Sequence, residues 1–216
     1  MGCTSAINEG NVIKDAPASV ISITDGRKSS KLGINMKKSS LEIYVPRTVL
    51  THMNVKCVGT DIELRDMNVS MLHCSIVSGK LRLSGVYDEL HLHTTGSEVI
   101  AQVSQLGRLV VKSTSSRIDL TGQFDQIHSK VIAGKLNLTI LNSIRELHST
   151  STAAKVRVYV PVNLRFSIST GKLTSRKAIR SSLPLQYKAD QLIQEESEAR
   201  FYVSIAGGHM EINPLP

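Results

Sequence analysis

Large apolar residues recur in this chain at fixed distances from small residues that are themselves about nineteen positions apart. With Thr60, Gly79, Ser97, Ser116, Gly134, Ala154, Gly171 and Gly208 as reference points, successive steps are 19, 18, 19, 18, 20, 17 and 37 residues. Seven before each reference stand Met53, Leu72, Leu90, Leu109, Ile127, Leu147, Leu164 and Phe201. Two after each stand Ile62, Leu81, Val99, Ile118, Leu136, Val156, Leu173 and Met210. Every second residue around these positions is also apolar or small, the alternation of a half-buried strand. One such unit cannot bury its apolar face alone and must stack on its neighbours. The pattern therefore predicts an all-β, parallel β-solenoid with two strands per coil, one on each side of a small-residue corner.

Second corners are expected near 84–88 (SGVYD) and 121–125 (TGQFD). Inward Ser and Thr near the corners are expected to bond the backbone. Upstream, Ile43 and Val45 fit a coil referenced on Leu41, with Ile34 and Met36 before it, and Ile21 and Ile23 suggest a further strand. Residues 1–18 show no pattern and read as an irregular segment or cap. Residues 19–216 read as a single solenoid domain. The doubled step before Gly208 marks an insertion over about 176–200, expected to be a loop with a short helix near 188–197, before one last coil.

SIVSGKLRLSGV (75–86), its echo KVIAGKLNLTIL (130–141), the YVP corners at 44–46 and 159–161, and the closing FYVSIAGGHMEI (201–212) carry a family resemblance. Over roughly residues 32–214 the chain resembles the bacterial putative-adhesin family of β-strand-repeat proteins, a domain of unknown function. The resemblance implies a parallel β-solenoid of bacterial origin, often tied to the cell envelope. It implies no catalytic residues.

Composition narrows the function classes. Aromatics are 4% and Trp is absent, thin provision for a sugar-stacking groove. The formal charge of +8 favours anionic partners without choosing among them. No apolar run approaches the ~20 residues of a membrane span, and no basic-then-apolar leader opens the chain. Met1-Gly2-Cys3 invites a lipidation reading, but Ala6 replaces the expected Ser or Thr. The chain is therefore expected at the cell surface or envelope if an export signal has been trimmed, and otherwise in the cytoplasm. Cys57 and Cys74 should face inward on neighbouring coils two residues out of register. That spacing, about 8 Å, is too long for a disulfide.

Surface chemistry in such a stack is read down columns. One, just after the corner, runs Asp61, Lys80, Glu98, Arg117, Lys135, Lys155, Lys172, with Arg157 beside it. Arg117, Lys135, Lys155, Arg157 and Lys172 are a candidate anion-binding strip, unless Glu195–Glu198 of the insertion folds across it. A second column, on the other sheet, runs Asn54, His73, His91, Val110, His128, His148, with His93 beside it. Its alternative readings are a metal-binding stripe, a pH-sensitive stripe or a plain exposed face, and no metal or other cofactor is expected. Lys112 and Lys130 stack on that same sheet. The first functional expectation is a non-enzymatic scaffold or adhesin-like binding module of the bacterial envelope. Its partners would be a protein or an anionic polymer or lipid, with no specific nucleic-acid binding and oligomers formed by edge or end pairing. The alternative is a β-helix enzyme acting on cell-surface polysaccharide, which needs clustered carboxylates in a sugar-binding cleft.

Overall fold

The structure, a computed structural model, describes residues 20–24 and 50–216 apart from 172–173, 175, 185, 189–190 and 194–197. It is a parallel β-solenoid. After the strands β1 (Val20–Thr24) and β2 (Leu50–Val58), four long strands follow: β3 (Ile62–Val77), β4 (Lys80–Thr95), β5 (Glu98–Thr114) and β6 (Arg117–Ile132). Next come β7 (Lys135–Ile140), β8 (Glu146–Val160) and β9 (Phe166–Thr170). The short strands β10 (Ile179–Ser181), β11 (Gln186–Lys188) and β12 (Gln191–Ile193) precede the final β13 (Ala199–Pro214). The helical content of the described residues is a single 3-10 turn, Arg176–Ala178.

The expected columns form. Met53, Leu72, Leu90, Leu109, Ile127, Leu147 and Phe201 are direct neighbours on successive strands, as are Ile62, Leu81, Val99, Ile118, Leu136, Val156 and Met210. From Leu72 to Phe201 and from Leu81 to Met210 these side chains are fully buried. Cys74 lies opposite Val55 and Cys57 opposite Ile76, two positions out of register, and both thiols are free and buried. Burial pushes the Cys74 thiol up to about 12.

The two corners differ in kind. The second corner is not a break between two short strands: β3, β4 and β5 run straight through it on a register shift, between Leu64 and Met67, Gly85 and Val86, and Val103 and Leu106. An extra residue bends a strand without ending it. One long strand therefore serves both sheets, whereas the chain opens at this point between β7 and β8 and again between β8 and β9. At the first corner the left-handed residue is the one before the reference: Gly59, Ser78, Gly96, Ser115, Ala133, Ala153 and Gly207 all have positive φ. The reference residue is small for another reason. A Cβ on Gly79 would overlap the carbonyl oxygen of Thr60 on the coil beneath.

Ser97 and Ser116 close the corners by donating to the carbonyls of Thr95 and Thr114. The expectation fails at Thr94 and Ser113, register neighbours whose buried hydroxyl oxygens have no partner.

The ends depart furthest from the expected order. β13 does not follow β9 in the stack but lies between β8 and β9. It pairs with β8 through both halves, so that Phe201 neighbours Leu147, Gly208 neighbours Ala154 and His209 neighbours Lys155. β9 pairs with the first half of β13, with Ile168, not Leu164, opposite Phe201. The insertion is not a plain loop. β10 stacks on β13 with Ile179 opposite Met210, the place expected for Leu173. β11 and β12 form an antiparallel hairpin that pairs with β9. Strand β12 falls inside the window expected to be helical. Antiparallel strands interrupt the parallel repeat and limit its open edge. At the other end Ile21 and Ile23 neighbour Met53 and Val55, taking the register places expected for Ile34 and Met36. The readings made on 1–18, Ile34, Met36, Ile43, Val45, Lys172 and Glu195 lie outside the described residues.

Candidate binding faces

Because coils stack in register, outward side chains fall into columns about 4.8 Å apart on two faces. On the face after the first corner, one column is Lys80, Glu98, Arg117, Lys135, Lys155, His209. The column two residues on is Glu63, Arg82, Ile100, Asp119, Asn137, Arg157, Glu211, Arg180. The structure thus brings Arg117, Lys135, Lys155 and Arg157 onto one face. His209 takes the column place expected for Lys172.

Most of that strip is already partnered. Arg117 meets Asp119 at 3.0 Å, and Asp119 also accepts from Asn137. Lys155 and Arg157 both meet Glu211, at 2.9 and 2.8 Å, and Lys80 meets Glu98 at 3.1 Å. Hydrogen bonds from Lys155 and then Arg157 hold the Glu211 carboxyl down at about 2. Among the described residues, the acids that meet the strip are Asp119 on β6 and Glu211 on the last strand. Lys135 has no ion pair among the described residues.

The face before the corner has another make-up. Its edge near the second corner carries Glu89, Arg108, Gln126 and Glu146 as register neighbours. Two residues on is the histidine ladder. His73 and His91 have ring centroids 4.2 Å apart, His128 and His148 stack at 4.7 Å, and His148 stacks on Tyr202 at 4.4 Å. Val110 separates the two groups. Glu89 Oε1 stands 2.7 Å from His91 Nε2 and Glu146 Oε1 2.8 Å from His148 Nε2. Partial burial, then His148 and Arg108, push the His128 imidazole below its ordinary value while Glu146 pulls it up. Burial and His91 lower His73 likewise, against Glu89. No group of three potential metal ligands converges among the described residues.

Two further residues on, the column reads Lys56, Ser75, His93, Lys112, Lys130, Thr150. It contains no acid. Lys56, Lys112 and Lys130 are exposed and have no ion pair among the described residues. The nearest acidic column on this face is four residues back along the strand, about 13 Å away. The sequence offered this signal: four positions before each reference, from Lys56 to Thr150, no acid occurs.

Two shallow grooves cross this face. One, at the second corner, is lined in part by His52, Met71, Glu89, Arg108 and Asp125. Of its three carboxylates, Glu89 meets His91 and Arg108, Asp125 meets Arg145, and the exposed Asp88 has no ion pair among the described residues. The other runs along the lysine column beside Thr95 and Thr114. No helix among the described residues is long and apolar enough to cross a membrane.

Comparison with curated proteins found no match. Among solved structures, a putative cell adhesion protein from Clostridium sporogenes ATCC 15579 aligns with 78% of this chain and 92% of its own, at 11% identity and a TM-score of 0.31. The family model described as Toastrack DUF4097 matches residues 14–208. With most of its length matched and the repeat, corners and stacked columns in place, this chain belongs to the Toastrack DUF4097 family.

Proposed function

We propose that the protein is a non-enzymatic binding scaffold of the bacterial envelope that presents flat sheet faces to an anionic partner. The observation that carries this reading is the in-register stack, which converts single basic residues into continuous cationic columns on rigid strands. The charge of +8 and the family membership support it. Two faces are candidates: the strip Arg117, Lys135, Lys155 and Arg157, and the lysine column of the other sheet. Against the alternative of a polysaccharide-cleaving enzyme, two of the three carboxylates lining the corner groove, Glu89 and Asp125, are held as ion-pair partners.

The test has two parts. Binding of poly(glycerol phosphate) and of phosphatidylglycerol vesicles is measured across a salt series, and a panel of cell-surface glycans is assayed for cleavage. Salt-dependent binding without turnover supports the reading. Turnover, or no anion binding at low salt, rejects it.

A further inference from the structure

We propose that the column Lys56, His93, Lys112 and Lys130, with the hydroxyls of Thr95 and Thr114 beside it, is the docking surface for a linear, base-free phosphodiester polymer lying along the solenoid axis. The proposal rests on the anion-binding reading above and names its face and ligand class.

Four observations support it. First, the cations are unspent: Lys112 and Lys130 are register neighbours without an ion pair among the described residues, whereas Lys155 and Arg157 share Glu211. A Debye length of about 8 Å at physiological ionic strength is shorter than the ~13 Å to the acidic column of this face. Its field therefore reaches a ligand largely uncancelled.

Second, the groove there is lined by His93, Lys112 and Lys130 on one side and by Thr95, Thr114 and Ile132 on the other. Ammonium groups and hydroxyls are donors suited to phosphate oxygens. Third, His93 stands in register beside Lys112, and partial burial, then Lys112 and His91, push its imidazole below its ordinary value. Ser75, its register neighbour on β3, brings no charge.

Fourth, the lining favours this ligand over two others. It holds no Phe, Tyr or Trp on which a base could stack, as single-stranded nucleic-acid binders require. Among the exposed apolar residues of this column, the adjacent pair Val58 and Val77 is separated from Ile132 by Thr95 and Thr114. They make no continuous apolar patch for a bilayer.

The experiment titrates full-length protein with poly(glycerol phosphate), with phosphatidylglycerol vesicles and with poly(dT), across a salt series and at pH 7.0 and 5.5. The double variant Lys112→Glu/Lys130→Glu is compared with Lys135→Glu/Lys155→Glu, which makes the same change in net charge. Lys112→Gln/Lys130→Gln serves as a milder second version, and melting curves check that each is folded. The expected result is a loss of about tenfold or more, with a shallower salt slope, for the first pair. The second pair stays within about threefold. Binding should tighten at pH 5.5, because His93 charges against the polymer.

Equal losses in both pairs would make the attraction a matter of net charge and overturn the site. Tighter binding of vesicles or of poly(dT) than of the polymer would overturn the ligand class. A wild-type protein that binds no polyanion would sink the anion-binding reading itself, a different outcome from wild-type binding that neither pair weakens.

Discussion

The two outer faces of this solenoid are built by the same strands from the same repeat, yet they carry charge differently. On the face after the corner, acids and bases alternate within one strand spacing or two residues: Lys80 with Glu98, Arg117 with Asp119, and Lys155 and Arg157 with Glu211. On the face before the corner, the acids occupy the column beside the second corner, where they meet His91, Arg108 and His148. The lysines stand four residues away with no acid between. Composition does not distinguish the faces. What matters is whether opposite charges fall within reach of one another across the stack. Surface ion pairs of this kind add little stability, but they remove the field a ligand would feel.

The largest expected effect abolishes both faces together. Leu109 is fully buried at the centre of the stack. Leu109→Asp leaves an unpartnered charge there and should cost more than about 4 kcal/mol. Chemical denaturation or the melting curve reads this directly, and a soluble variant with the wild-type midpoint would contradict the register.

A sharper test makes one face resemble the other. Glu211→Gln frees Lys155 and Arg157, so affinity for poly(glycerol phosphate) should rise severalfold, the gain coming from the face after the corner. The same variant alters the acid limb of stability. The Glu211 carboxyl sits near 2 when folded, against an ordinary 4.5. Its contribution is full above about 4.5 and is lost as pH falls toward 2, because the unfolded chain binds that proton first. In the variant this part of the pH dependence should disappear, as denaturation at pH 5 and pH 2.5 would report.

The histidine ladder gives a smaller effect of the same sign on the other face. His128 is depressed below 6.5 in the fold, so the unfolded chain takes up its proton first as pH falls. Stability should be full above about 6.5 and decline below it. His128→Phe keeps an aromatic ring against His148 and should flatten the slope between pH 7 and 5.5. An unchanged slope would place the pH sensitivity elsewhere.

The smallest effect lies beneath the lysine groove. Ser113 carries a buried hydroxyl without a partner. Ser113→Ala removes that group and should raise stability by up to about 1 kcal/mol. Polymer affinity should not change, since the hydroxyl faces the core.

The interior of the stack was legible because strand alternation and small-residue corners together fix which residues point inward. Its far end was not. A period-two strand can slip by an even number of residues without exposing an apolar side chain. β9 sits four residues from its expected register, and Phe166 and Ile168 remain fully buried. Nor does alternation state the order of strands in space. Nothing in it requires β13 to insert between β8 and β9, and that insertion brings Glu211 to Lys155 and Arg157. The five cations Arg117, Lys135, Lys155, Arg157 and Lys172 therefore read as a strip that only the insertion could cover, whereas the partner of Lys155 and Arg157 stands in the last coil. The lysine column was readable throughout, because Lys112 and Lys130 lie in the central, strictly sequential part of the stack.

The most direct measurement is lysine footprinting. Full-length protein is acetylated briefly with and without poly(glycerol phosphate), and the modification of each lysine is read by mass spectrometry. The account predicts that the polymer protects Lys56, Lys112 and Lys130 and leaves Lys135 and Lys155 at their free rates. Protection of Lys135 and Lys155 instead, or equal protection of all five, would contradict it.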